Sequence, residues 1–106
     1  AEDSVDWEYF EDPLAAVEAL RRRGYLIFAV EQVAGSRPLH QLRLSPDQKY
    51  ALVLGNEVKG VTQSVVDAAD AAVEIPQYGT KHSLNVSVSA GIVLWEFAKQ
   101  LGFSYE

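Results

Sequence analysis

Cysteine is absent from the 106 residues, which excludes disulfides and thiolate metal sites and is compatible with a reducing compartment. Methionine is absent as well, so either an initiator was trimmed or Ala1 lies inside a larger protein. No apolar run approaches the roughly 18 residues of a membrane span, and no secretory leader is written at the start. A soluble, cytoplasmic protein is therefore expected. A basic surplus is also missing. The formal net charge is −6, so nucleic acid would have to be met by a local patch and not by a surface that is basic overall. What the chain does have is core material. With 48% hydrophobic residues, it suits one domain that hides roughly two thirds of its unfolded surface. No internal repeat or low-complexity segment divides it.

Asp12-Pro13 starts a helix, because the Asp carboxylate accepts from orphan amides and Pro takes the first helical position, where its missing N–H costs nothing. Gly24 marks the stop. Leu14, Val17 and Leu20 fall on one face, and Arg21, Arg22 and Arg23 fill the last turn, where they complement the helix dipole. These arginines read as a solvated helix end, with RNA contact as the alternative. Tyr25–Val30, "YLIFAV", and Tyr50–Leu54, "YALVL", are apolar without alternation, as strands covered on both faces require. Ala72–Ile75 is a weaker strand, reached through a helix over Gln63–Ala69. Strands alternating with helices predict an α/β fold, a mainly parallel sheet with flanking helices. The connection from Glu31 to Lys49 contains Gly35, Pro38 and Pro46 and shows no helical period. It exceeds the roughly 12–15 residues of an ordinary structureless link, which marks it as functional or as part of an unusual topology.

The last helix is the most regular. Val86, Ala90, Val93, Phe97 and Leu101 form one apolar stripe that ends before Gly102. Its opening, "VSVSA", also fits a strand period, but length favours helix. Ser87, Ala90, Gly91 and Ala98 are small enough to admit another backbone. Leu94, Trp95 and Phe97 add more apolar surface than one core can take, which predicts a two-fold dimer through this helix.

The chemistry-bearing residues cluster in two places. "LVLGNEVKG", Leu52 to Gly60, sets Gly55, Asn56 and Glu57 directly after a buried strand, where parallel strands open onto a ligand crevice. It is neither a dinucleotide fingerprint nor a phosphate-cradling loop. The second place precedes the last helix, with Thr80, Lys81, His82, Ser83 and Asn85 crowded together. One cap would suffice there, and Ser83 or Asn85 taken singly reads as a plain N-cap. His82 is suited to act as a base or to meet a phosphate beside Lys81, and otherwise is an exposed loop residue. His40 has less claim, and no His, Asp or Glu spacing suggests a metal site.

Together, "LGNEVKGV" and "IPQYGTKHSLNVSVSAGI" resemble motifs two and three of the SpoU-type ribose methyltransferases of the SPOUT class. The match runs almost without a gap from Tyr50 to Leu101. More loosely, "DWEYFEDPLAAVEALRRRGYLIFAVEQ" is similar to the preceding helix and strand of that family. The resemblance implies S-adenosylmethionine as methyl donor, no metal, a ribose 2′-hydroxyl of tRNA or rRNA as acceptor, and a homodimer. It also implies a deep trefoil knot, which the general rarity of knots would have argued against. Carried over by motif position, Gly55, Asn56, Gly60, Ile75 and Leu84 would line the donor pocket, and Glu57, Ser83 and Asn85 would organise the acceptor ribose as catalytic residues. The polar crowd before the last helix would then serve ligand and acceptor as well as the helix end.

One motif has no counterpart. The family's first motif is an Asn followed several residues later by an Arg thought to help deprotonate the attacking hydroxyl. Asn occurs here only as Asn56 and Asn85, and none of Arg21, Arg22, Arg23, Arg37 or Arg43 sits in a matching context. The strand and helix carrying that motif are expected before Ala1, which makes 1–106 a single partial methyltransferase domain. Two functions follow: the donor-binding half of an RNA 2′-O-methyltransferase, or a non-catalytic module that keeps the donor pocket or dimer face. A generic nucleotide-binding domain is disfavoured by the lack of a glycine-rich phosphate loop.

Overall fold

The computed structural model describes residues 11–55, 61–76 and 86–102, the side chains at 86 and 87 excepted. The first helix, α1, spans Pro13–Arg22 and is capped as its sequence dictates: the Asp12 carboxylate accepts from the Ala15 amide at 3.2 Å, and Pro13 opens the first turn. At its end Gly24 adopts φ +89°, a left-handed conformation that costs glycine little and turns the chain into β1 (Tyr25–Val30). The remaining elements are β2 (Arg37–Pro38), a 3-10 turn at Leu39–Gln41, β3 (Lys49–Leu54), α2 (Gln63–Ala68), β4 (Ala71–Glu74) and α3 (Val86–Leu101). The last helix ends at Gly102, with φ +71°.

The four strands form one parallel sheet in the order β2-β4-β1-β3. The expected parallel α/β architecture is therefore what the chain adopts. Because strand side chains alternate between faces, β1 divides the core in two. Phe28 joins Leu39, Leu42, Val73, Val93 and Phe97 on the face that α3 covers. Ile27 joins Val17 and Val65 on the face that α1 and α2 cover. This double coverage explains why "YLIFAV" and "YALVL" carry no polar alternation.

Boundaries moved by one residue for identifiable reasons. Asp70 pairs with Ile27 twice: its amide donates to the Ile27 carbonyl at 2.8 Å, and its carboxylate accepts from the Ile27 amide at 2.7 Å. This draws the chain into the sheet early, so β4 begins at Ala71 instead of Ala72. It ends at Glu74, one residue before Ile75-Pro76, since Pro cannot donate to a ladder.

The long connection that showed no helical period is not structureless. Residues 31–36 carry the chain from β1 to β2, at the far edge of the sheet, where Pro38 is tolerated because an edge strand needs donors on one side only. Leu39 and Leu42 then plug the core beneath α3. β4 enters later, between β1 and β2, and β1 and β2 are consecutive in the chain. The last residue of β4, Glu74, accepts from the Ser36 hydroxyl at the end of the 31–36 connection. The described residues break off between 76 and 86, so the expected knot, in which the C-terminal segment passes through a loop, lies outside what they describe.

Of the α3 stripe, Ala90, Val93 and Phe97 are buried and Leu101 is half-buried, while the Val86 side chain lies outside the described residues. Phe97 meets Phe28 and Tyr50 edge-on, with ring centroids 5.8 and 5.6 Å away. Phe97 therefore spends its surface in the core, and among the described residues of this helix the large apolar side chains left exposed are Val88 (45%), Ile92 (39%) and Trp95 (60%).

Gln100 supplies the long-range polar tie of the helix. Its side-chain carbonyl accepts from the Leu44 amide at 2.8 Å. Its NH2 group donates to the Leu42 carbonyl at 2.9 Å and to the Glu96 carboxylate at 2.7 Å. The Gln100 hydrogen bond first, and Lys99 next, hold the Glu96 carboxyl below the usual glutamate range. A depressed carboxyl stabilises the fold at neutral pH, and this contribution fades as the pH falls through and below that range. Replacing Gln100 by Ala removes the acceptor of the Leu44 amide and leaves the Leu42 carbonyl with Arg43 as its side-chain donor. We expect a loss of about 1–3 kcal/mol in urea or thermal unfolding, with a smaller difference from wild type in acid, where Glu96 is protonated in both proteins.

Candidate functional site

Ligand crevices in parallel α/β sheets open at the carboxyl ends of the strands. Three such ends meet here. β3 runs out at Leu54 into Gly55, β1 at Val30 into Glu31, and β4 at Glu74 into Ile75 and Pro76. The register pairs Val30 with Leu54 on one side and with Val73 on the other. Continuing it by one residue sets Glu31 level with both Gly55 and Glu74. Gly55 and Ile75 are thus brought to the same end of the sheet, on the strands that flank β1. Both are half-buried, and Ile75 packs against the α3-side core.

Polar groups tie this rim together. The Glu31 amide donates to the Val73 carbonyl at 3.0 Å. The Glu31 carboxylate accepts from the Val61 amide at 2.8 Å and from the Gln32 amide at 3.2 Å. The Ser36 hydroxyl donates to the Glu74 carboxylate at 2.9 Å. Glu31, Ser36 and Glu74 did not stand out in the sequence. The one signal that pointed toward them was the length of the connection in which Glu31 and Ser36 lie.

Of the site residues expected from the motifs, Gly55 and Ile75 are the two that the structure describes. Asn56, Glu57, Gly60, Ser83, Leu84 and Asn85 lie outside the described residues, as do Lys81 and His82. His40 is exposed in the 3-10 turn. Among the described residues, no group of three or more His, Asp or Glu side chains is placed to hold a metal ion.

The arginine cluster sits at the other end of the sheet. Arg21 pairs with Asp70 at 3.3 Å and donates to the Ala68 carbonyl. Arg23 lies over the Tyr25 ring at 5.6 Å, with Lys49 at 5.7 Å from the same centroid. Arg21 therefore joins α1 to the α2–β4 turn, which is more than a solvated helix end does. Arg43 donates to the carbonyls of His40 and Leu42. Arg37 is exposed on β2, level with Val73, near the crevice end.

A family model, the SpoU rRNA Methylase family, matches residues 1–95. A curated tRNA (guanosine(18)-2′-O)-methyltransferase of Aquifex aeolicus is 34% identical over 100 residues, covering 92% of this chain and 46% of that protein. The chain spans about half, or less, of the length of the curated relatives it matches first. Among solved structures, the A. aeolicus TrmH/SpoU tRNA modifying enzyme superposes with a TM-score of 0.74 at 34% identity, over 86% of this chain and 45% of that one. The AdoMet-bound rRNA methyltransferase from Sinorhizobium meliloti gives 0.71 at 28% identity, over 82% and 33%. With nine-tenths of its length inside the family model and its parallel sheet shared with these enzymes, the chain belongs to the SpoU rRNA methylase family.

Proposed function

We propose that residues 1–106 form one partial methyltransferase domain, the donor-binding part of an enzyme that methylates a ribose 2′-hydroxyl in tRNA or rRNA. The observation that carries this reading is the meeting of Gly55 and Ile75, twenty positions apart, at the carboxyl ends of the two strands flanking β1. The names of the relatives supply the acceptor class, tRNA and rRNA, and the S. meliloti enzyme supplies the donor, AdoMet. The two described pocket residues fit that donor. Ile75 offers an apolar wall to an adenine, and Gly55, without a side chain, lets a ligand approach the backbone. S-adenosylmethionine supplies an electrophilic methyl on its sulfonium. In this reading Asn56, Gly60 and Leu84 complete the pocket, and Glu57, Ser83 and Asn85 hold and orient the acceptor ribose.

The same reading includes a homodimer through α3. Val88, Ile92 and Trp95 recur at helical spacing on the side away from the buried stripe. Gly91 lies beside them, and a Cβ built there meets nothing within 4 Å in the chain. A second reading, a non-catalytic donor-binding or dimerisation module, draws on the absence of a motif-one Asn and Arg from these 106 residues.

Three outcomes test the proposal. Calorimetry with S-adenosylmethionine or S-adenosylhomocysteine should show binding, and Gly55→Val should abolish it by filling the approach path; no heat with either ligand, at concentrations well above micromolar, would sink the pocket. Sedimentation should show a dimer. Ile92→Glu should dissociate it, whereas Gly91→Ala should raise helix stability by about 0.5–1 kcal/mol while weakening association. A monomer at every concentration, with the fold intact, counts against the interface. Finally, the 106-residue chain should bind donor yet transfer no methyl to bulk tRNA or rRNA, because a missing positioned base costs about 10²–10⁴ in rate. Robust turnover, lost in Glu57→Ala or Asn85→Ala, would overturn the view that the chemistry needs the absent motif.

A further inference from the structure

The end of the sheet where the strands begin carries a charge arrangement that folding does not require. Tyr25 opens β1, Lys49 opens β3, and the register sets the two side by side, so their side chains lie on one face. Arg23, where α1 ends, shares that place. Its guanidinium carbon is 5.6 Å from the Tyr25 ring centroid, and the Lys49 ammonium is 5.7 Å from the same point. Arg22 precedes it in the last turn of α1. Arg22, Arg23 and Lys49 are exposed, whereas Tyr25 is half-buried against the α1/α2-side core.

Two explanations internal to the fold fall short. A helix C-terminus favours cations, which accounts for Arg22 and Arg23 but not for Lys49, since Lys49 reaches the place on a strand. A cation over an aromatic ring gains stability, yet a second cation at the same ring is repelled by the first. Arg21 shows how the chain neutralises a cation it uses internally: it pairs with Asp70 at 3.3 Å. Among the described residues no carboxylate pairs with Arg22, Arg23 or Lys49, although Glu18 and Asp47 are close to them in sequence. In a chain of net charge −6, cations left uncompensated around one ring suit an anion from outside.

We propose that Arg22, Arg23 and Lys49 form a phosphate-contacting surface for the RNA acceptor, with the Tyr25 ring holding Arg23 and Lys49 in place. This surface is separate from the crevice, and its assignment rests on the RNA-methyltransferase reading given above. The cations meet the phosphodiester backbone and read no base, so they position the RNA without selecting its sequence. The patch lies at the opposite end of the sheet from Gly55 and Ile75. β1, which runs between the two ends, is six residues long, on the order of 20 Å. An RNA that engages both ends must therefore extend along the domain, which a lone nucleotide held at the crevice does not do.

The test measures binding of the 106-residue chain to bulk tRNA over a series of salt concentrations. Each phosphate contact contributes about 0.7–0.9 to the slope of log affinity against log salt. The combined variant Arg22→Ala/Arg23→Ala/Lys49→Ala should therefore flatten the slope by about two and weaken binding by about tenfold or more at low salt. Arg23→Lys keeps the charge and should keep the slope. Lys99→Ala removes one charge from α3, where Lys99 already pairs with Glu96, and should leave tRNA affinity within about twofold of wild type. S-adenosylmethionine affinity should be the same in every variant. If wild type binds neither donor nor tRNA, the proposed function fails and this inference with it. If wild type binds donor but no tRNA, or the combined variant binds tRNA as wild type does, the patch alone is refuted. Poly-glutamate bound more tightly than tRNA, and lost in the combined variant, would give the surface to an acidic protein and overturn the RNA assignment. A measurement on wild type alone covers the case in which the combined variant does not fold. Under an amine-reactive acylating reagent, saturating tRNA should protect Lys49 and leave Lys99 labelled as before; equal labelling of Lys49 with and without bound tRNA would overturn the inference.

Discussion

Everything described in this fold hangs on β1. It is paired in parallel on both edges, to β3 and β4, and it is covered on both faces. A strand so placed can carry no polar side chain without burying it, which is why six apolar residues run consecutively from Tyr25. The same placement makes β1 the common neighbour of the two segments that carry the motifs. Gly55 and Ile75 reach one rim because each follows a strand that is hydrogen-bonded to β1.

The second constraint is topological. β4 lies between β1 and β2, although β1 and β2 follow one another in the chain. A connection that would otherwise be a long loop is therefore held at both ends and in its middle. Ser36 bonds to Glu74, Leu39 and Leu42 enter the core, and Leu42 and Leu44 bond to Gln100. The tie to Gln100 couples the last turn of α3 to this connection.

Charge is distributed in keeping with the acidic total. The cations of α1 and Lys49 gather where the strands begin, and part of them is engaged: Arg21 with Asp70, and Arg23 and Lys49 with the Tyr25 ring. The crevice end carries Glu31 and Glu74, each occupied with a hydrogen bond to a neighbouring segment. Arg37, on the edge strand, is the arginine that the register brings near this end. An acidic chain that meets RNA does so against its own long-range field, so contact must be local.

The sequence by itself determined the elements with strong local signatures. Asp12-Pro13 and Gly24 bounded α1, an unbroken apolar run defined β1, and a stripe from Val86 to Leu101 defined α3, because capping, glycine conformation and side-chain period are properties of a few adjacent residues. Motifs two and three sufficed to indicate the family, since residue identity at fixed spacing survives without coordinates. Strand order was not legible, for nothing local tells β4 to enter between β1 and β2. Nor were the roles of Glu31, Asp70 and Gln100: each acts on a partner 30, 43 or 56 positions away, and as isolated letters they read as ordinary surface polar residues. Pro38 looked like a loop residue and became an edge strand, because a strand whose ladder runs on one side only can spare an amide. Which apolar side chains of α3 stay exposed was likewise a tertiary decision. Phe97 fits between Phe28 and Tyr50, and that packing leaves the outer side of the helix to Val88, Ile92 and Trp95.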